Sequence, residues 1–130
     1  RAEHRNSELV TFLEEFSRGF SDDRLRAEVG EFVTAFDRLE ASLAAHGGPW
    51  FMGEQLTLAD IAWIVNVHRL DLMRFDYGKW PLLAAWLDKM KQRPSYQKGL
   101  AAWEPKGIQR MFGLYTRLRG LMGSGVNKYH

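Results

Sequence analysis

Apolar residues early in the chain fall at steps of three and four. Leu9, Phe12, Leu13 and Phe16 share one face of a helix over roughly 3–18, which Gly19 can end. Ser21 then offers an N-cap, with Asp22 and Asp23 in the first turn, where carboxylates suit the positive end of the helix dipole. Leu25, Val29, Phe32, Val33, Phe36, Leu39 and Leu43 carry a second helix to about position 45, stopped by Gly47, Gly48 and Pro49. Trp50, Phe51 and Met52 are large apolar residues in a loop and are expected to tuck beneath it. A third helix covers roughly 57–73 and a fourth roughly 81–92. Arg93-Pro94-Ser95 breaks the pattern before a short helix over 96–102. In the tail, Ile108, Met111, Phe112, Tyr115, Leu118 and Met122 share the face of a last amphipathic helix, and the residues after Gly123-Ser124-Gly125 are expected to be loose. No stretch alternates with period two between turn signals, so the fold class is all-α with no strand.

The start of the third helix holds two polar residues in an otherwise apolar run. With Thr57 as N-cap, its hydroxyl can accept from the N–H of Asp60, and the Asp60 carboxylate can reach back to the N–H of Thr57. This is a capping box with Asp in place of the commoner Glu. Leu56 before the cap and Ile61 at the fourth helical position form a hydrophobic staple. The helix itself is apolar nearly all round, which predicts a place in the middle of a core. Its first N–H groups would be cut off from water, where each unpaired donor costs ~1–3 kcal/mol. Thr57 and Asp60 are therefore read as structural rather than catalytic.

A chain of 130 residues with an ordinary globular composition fits one domain with a real core. It has no cysteine, which excludes a disulfide, an iron–sulfur cluster and a thiol nucleophile from this segment and suits a reducing, cytoplasmic setting. No apolar run is long enough for a membrane span, and no signal peptide is visible at Arg1; a start without methionine marks a fragment or a processed piece. His4, His46, His68 and His130 are scattered without ligand spacing, so no metal site is expected, and His68 reads as a hydrogen-bonded structural residue. Trp63, Trp80 and Trp86 read as core or interface anchors. Charge is uneven. After Glu104 there is no acid, and Lys106, Arg110, Arg117, Arg119 and Lys128 make the tail basic, while the chain total is +2. These charges are interleaved with glycine and accompany no recognised binding motif, so they read as a solvated face rather than a nucleic-acid or membrane attachment.

The run from Gly48 to Ile61, GPWFMGEQLTLADI, resembles the start of the sixth helix in the C-terminal domain of glutathione transferases: a Gly, two residues, an aliphatic, Ser/Thr, an aliphatic, Ala, Asp and an aliphatic. Trp80-Pro81 and Arg93-Pro94-Ser95 are similar to later helix junctions of that family, and Arg1-Ala2 to the opening of its fourth helix. The resemblance covers 1–103 and implies a helical bundle of five or six helices, with 104–130 as a basic amphipathic C-terminal extension. It also implies that the glutathione site and the catalytic Ser, Tyr or Cys belong to a thioredoxin-like N-terminal domain that this chain does not contain. That domain lowers the pKa of the glutathione thiol so that the thiolate attacks an electrophile, while the helical domain positions the electrophile and excludes water. Glutathione is the implied co-substrate, a hydrophobic small molecule the implied substrate, and a homodimer using the first two helices the implied assembly.

Within this resemblance no catalytic residue falls in the chain. Candidate substrate-binding residues are Glu3, Asn6, Ser7 and Val10, spaced three and four apart on a face distinct from Leu9, Leu13 and Phe16. Trp103, Met111, Phe112 and Tyr115 in the tail could fold over the pocket mouth. Extensions of this kind occur in some bacterial transferases acting on aryl ethers or halogenated aromatics, which points to an aromatic substrate. The rival reading is a non-catalytic docking module, as such helical domains are in elongation factor complexes and some aminoacyl-tRNA synthetases.

Overall fold

Ser21 sets the course of the longest helix. Its backbone is extended and its hydroxyl accepts from the Arg24 N–H at 3.3 Å, so α2 (Asp22–His46) starts where the cap predicts. It ends at Gly47, whose φ of 63° is left-handed and lets its N–H return to the Leu43 carbonyl at 3.1 Å. The computed structural model describes the backbone of residues 2–103, 106–123 and 126–129, and side chains other than those of 1–6, 8, 104–106, 108–110, 112, 124–126 and 130. Around α2 stand α1 (Ala2–Arg18), α3 (Leu58–Leu72), α4 (Pro81–Lys91), α5 (Pro94–Gly99) and α6 (Lys106–Leu121), with 3-10 turns at Ala101–Trp103 and Val126–Tyr129. Among the described residues the only pairing of extended backbone is an isolated one between Trp50 and Gly53, so the architecture is all-α.

Phe36 of α2 is the centre of the core. It is fully buried, and the rings of Phe32, Trp63, Phe75, Tyr77 and Trp80 lie 5.5–6.4 Å from its own. Helix α4 packs on both α2 and α3 and buries Leu83, Trp86, Leu87 and Met90. Pro81 sits in its first turn, where its missing N–H costs nothing. The next two N–H groups are capped from α2: Leu82 and Leu83 donate to the two carboxylate oxygens of Glu40 at 2.9 and 2.8 Å. The Trp80 indole N–H donates to Asp37 at 2.8 Å; that bond, with Lys79 behind it, holds the Asp37 carboxyl below its ordinary pKa.

The loop after α2 turns back on itself. Trp50 and Gly53 exchange N–H···O bonds, both 3.1 Å long. A Cβ on Gly48 would lie 2.3 Å from the Gly53 carbonyl, so only glycine lets the two backbones approach there, and Gly53 itself has φ 110°. Trp50 and Phe51 tuck under the loop as expected, but Met52 points outward.

Three other expectations are corrected, and the α1 face is placed. Helix α3 is not buried all round: Leu58, Ile61 and Val65 are exposed along one side, where no described residue covers them. On α1, Leu9, Leu13 and Phe16 lie exposed, whereas Phe12 packs on Phe16 and Phe20 and lines the cleft toward α2 with Ser7, Thr11 and Glu15. The short helix begins at Pro94 and gives way to a 3-10 turn, because a proline in the first turn starts a helix instead of delaying it. The tail is not loose: the Asn127 side chain donates to the Arg74 carbonyl and accepts from the Asp76 N–H, both at 2.9 Å, and Lys128 and Tyr129 bond Asp22 at 2.9 and 2.7 Å. Arg74 carries the left-handed φ of 57° that ends α3.

The Tyr77 hydroxyl donates to the Val67 carbonyl at 2.9 Å. Burial, and secondarily the charge of Asp71, push its pKa above the ordinary 10.0. A raised pKa favours the protonated form in the folded state, so its stability is complete below pH 10.0 and is lost as pH rises beyond it. Urea melts across the alkaline range should show stability falling above that pH, and Tyr77→Phe should flatten the fall. An equally steep fall in Tyr77→Phe would assign it elsewhere.

Candidate functional site

The most completely satisfied polar group in the interior is the Asp60 carboxylate, which is fully buried. One oxygen, Oδ2, accepts from the Thr57 N–H at 2.8 Å and from the Thr57 hydroxyl at 3.0 Å. The other, Oδ1, accepts from the Phe51 N–H at 3.1 Å and from the Trp86 indole N–H at 2.8 Å. The carboxylate arm of the capping box is thus present. The reciprocal approach of the Asp60 N–H to the Thr57 side chain is also in place, though without a full cap hydrogen bond; the Thr57 hydroxyl donates its own proton to Oδ2. The Leu56–Ile61 staple closes less than expected: Leu56 is half-buried against the core, whereas Ile61 is exposed.

A carboxylate offers about four lone-pair directions, and here all are taken. Asp60 has no position left to take a proton from a substrate and no opening to solvent, so it is a structural joint. It ties the loop after α2, the start of α3 and the middle of α4 to one group. Phe51 stacks on Trp86 with centroids 4.5 Å apart, which closes the joint with apolar surface. The capping box was legible from its three-residue spacing. The Trp86 donor was not, because 26 residues separate it from Asp60 and an indole N–H leaves no periodic signal.

His68 is buried on α3, and its Nδ1 shares a hydrogen bond of 2.7 Å with the Tyr96 hydroxyl of α5. It is a packing contact between helices, as the sequence suggests. Among the described residues no group of three or more His, Cys, Asp or Glu could hold a metal ion, and no helix is long and apolar enough to cross a membrane.

Among the described residues, the candidate substrate-binding side chains do not line one common cavity. Ser7 lines a small cleft of about 240 Å³ between α1 and α2 with Thr11, Phe12, Glu15 and Arg24, and Arg24 pairs with Glu15 there. Val10 is exposed on α1, and the side chains of Glu3 and Asn6 lie outside the described residues. Trp103 is 82% exposed at the end of its 3-10 turn, and Met111 and Tyr115 are exposed on α6; the Phe112 side chain lies outside the described residues. Helix α6 packs on α3 rather than on α1, so the α1 set and the tail set remain apart.

Two further hollows escaped the sequence reading. A groove of about 440 Å³ runs between the end of α2 and α4, walled by Leu43, Pro49, Leu82 and Trp86 with Lys89 at its side. A second, of about 260 Å³, lies between α3 and α5, walled by Leu56, Ile61, Val65, Tyr96 and Leu100 with Arg93 at its rim. The Arg93 guanidinium stacks over Trp50 at 5.3 Å, while its Nε is buried without a hydrogen-bond partner. Each of these three hollows carries a single cation. Glutathione brings two carboxylates and an amine, so none of them fits it, and no glutathione site is built from these residues.

Substitutions at the joint separate its parts. Asp60→Ala strands the Phe51 and Thr57 N–H groups and the Trp86 indole, and should cost about 3–5 kcal/mol. Thr57→Ala leaves the carboxylate in place and should cost about 1–2 kcal/mol. Denaturant melts measure both; equal losses would mean that Asp60 does no more than cap α3.

Comparison with known proteins agrees with this geometry. The model of the glutathione S-transferase C-terminal domain matches residues 7–89, which contain the Asp60 joint and the helices it connects. The chain is 26% identical over 89 residues to a 2,5-dichlorohydroquinone reductive dechlorinase of Sphingobium indicum, covering 64% of this chain and 25% of that protein. It is 32% identical over 93 residues to glutathione S-transferase L1 of Arabidopsis thaliana, covering 66% of this chain and 37% of that protein. It is 36% identical over 63 residues to the glutathione S-transferase-like protein OpS6 of Beauveria bassiana, covering 46% of this chain and 29% of that protein. The chain therefore spans between a quarter and two fifths of these curated relatives, and no solved structure matches it. With most of its length matched and its helix start built as the family pattern requires, the chain belongs to the glutathione S-transferase family, within that family's C-terminal helical domain.

Proposed function

We propose that this chain is the helical, substrate-binding half of a cytoplasmic glutathione transferase that conjugates or cleaves hydrophobic, aromatic electrophiles with glutathione. The observation that carries the reading is the family match over 7–89 around the Asp60 joint. The aromatic substrate class draws support from the dichlorohydroquinone dechlorinase among the relatives. Glutathione is the co-substrate of the family, and its activation is assigned to a thioredoxin-like half outside this chain, since the hollows here do not suit it.

That half is proposed to cover the bare side of α3. Leu58, Ile61 and Val65 are exposed beside the α3–α5 groove, and a contiguous apolar surface of this kind is the usual mark of an interface. The substrate would then lie between the two halves, with α1 (Glu3, Asn6, Ser7, Val10) as one wall and Trp103 toward its edge. The helices would orient the electrophile and keep water from the thiolate, which raises the effective concentration of the reacting pair. The protein would act as a homodimer.

The test is turnover of an activated chloroarene with glutathione. The full-length protein should conjugate it, and the helical chain alone should not. Val10→Arg in the full-length protein should raise KM several-fold with a smaller change in kcat, as expected where uniform binding is lost. A full-length protein that folds and binds glutathione but turns over no aromatic electrophile would favour the docking-module reading.

A further inference from the structure

The tail's cations, which the sequence alone reads as a solvated face, border an apolar one. Helix α6 packs on α3 through its small side: Gly113 and Thr116 are half-buried, and a Cβ on Gly113 would touch the Arg74 guanidinium at 3.6 Å. The opposite side carries Met111, Leu114, Tyr115, Leu118, Leu121 and Met122 at steps of three and four, each more than half exposed. At the helical repeat, Arg117 and Arg119 fall on the two borders of that face. Both are exposed, and among the described residues no carboxylate pairs with either. Arg119 donates to the Tyr115 hydroxyl at 3.0 Å and keeps its charge, since that bond raises its pKa.

We propose that α6 docks flat on an anionic lipid surface, with its apolar face in the boundary between headgroups and acyl chains and Arg117 and Arg119 among the lipid anions. The inference rests on α6 itself and holds whichever electrophile the transferase takes. An interfacial helix needs an exposed apolar face bordered by cations, and α6 supplies both. Each arginine near a negative surface raises partitioning by about fivefold. Other occupants fit less well. A nucleic acid would take the arginines and leave the apolar face in water. A second α6 would set Arg117 and Arg119 against their like.

The segment after α6 keeps that face outward. The chain turns at Gly123, whose φ of 69° is left-handed, and returns to the body. Asn127 then bonds Arg74 and Asp76, while Lys128 and Tyr129 bond Asp22. These contacts hold α6 on α3 from its C-terminal end, with its small side inward. The apolar face and its two arginines are therefore presented without rearrangement, and docking has little ordering to offset.

Co-sedimentation of the full-length protein with lipid vesicles tests this. It should bind vesicles of mixed phosphatidylserine and phosphatidylcholine, leave them as salt rises, and bind pure phosphatidylcholine far more weakly. Arg117→Gln with Arg119→Gln should weaken binding to the mixed vesicles by about tenfold or more. Leu118→Asp, at an exposed position, should also weaken it without lowering the thermal midpoint of the protein. Oxidative footprinting should find Met111 and Met122 reactive in the protein alone and protected on the mixed vesicles. Protection of both without vesicles would mean that the thioredoxin-like half or a second copy covers the face, and overturns the inference. Absent binding, or binding that the α6 variants leave unchanged, overturns it as well. Chloroarene turnover is read separately, so this inference and the transferase reading can fail independently.

Discussion

The arrangement of this domain depends on one buried carboxylate. Asp60 accepts four hydrogen bonds from three segments; the Phe51 and Trp86 donors are buried and would otherwise be sealed from water, and those of Thr57 are half-buried. The Phe51 N–H places the loop that follows α2, the Thr57 N–H and hydroxyl start α3, and the Trp86 indole fixes α4 across both. A joint of this kind is costly to half-build, because a charge taken from water must find all its partners. Its completeness explains why a catalytic role is closed to it: the same four bonds that satisfy the group leave nothing to offer a substrate.

The second set of acidic contacts works in parallel. Glu40 and Asp37 of α2 hold the start of α4 from one side, while Asp60 holds its middle from the other. Helix α4 is therefore positioned by directional bonds at two points along its length, and the aromatic cluster around Phe36 fills the space these bonds define. The least constrained surfaces are the exposed side of α3 and the outward residues of α1 and α6.

Local patterns made much of this legible in the sequence. Ser21, Gly47, Thr57 with Asp60, and Pro81 mark their helix ends within a few residues, and the α2 periodicity picks out Val29, Phe36 and Leu43 as core. Contacts between distant residues were not legible, because Trp86 to Asp60, Glu40 to α4 and Asn127 to Arg74 depend on how helices cross rather than on spacing. Apolar faces misled for a related reason. A stripe such as Leu9, Leu13 and Phe16, or a helix as apolar as α3, records that a surface is meant to be covered, but not whether the cover lies in the same chain. The proposed substrate-binding set is the least legible part, since its described members Val10, Trp103, Met111 and Tyr115 lie exposed.

Hydrogen exchange of the native protein, read at single residues, tests the role of the Asp60 joint most directly. If the joint holds the fold, the Phe51 and Thr57 amides and the Trp86 indole N–H exchange only through global unfolding, with protection as high as that of the α2 amides around Phe36. Exchange of these three protons through local opening, well before α2 unfolds, would show that the carboxylate is a peripheral cap and that the helices are held by apolar packing alone.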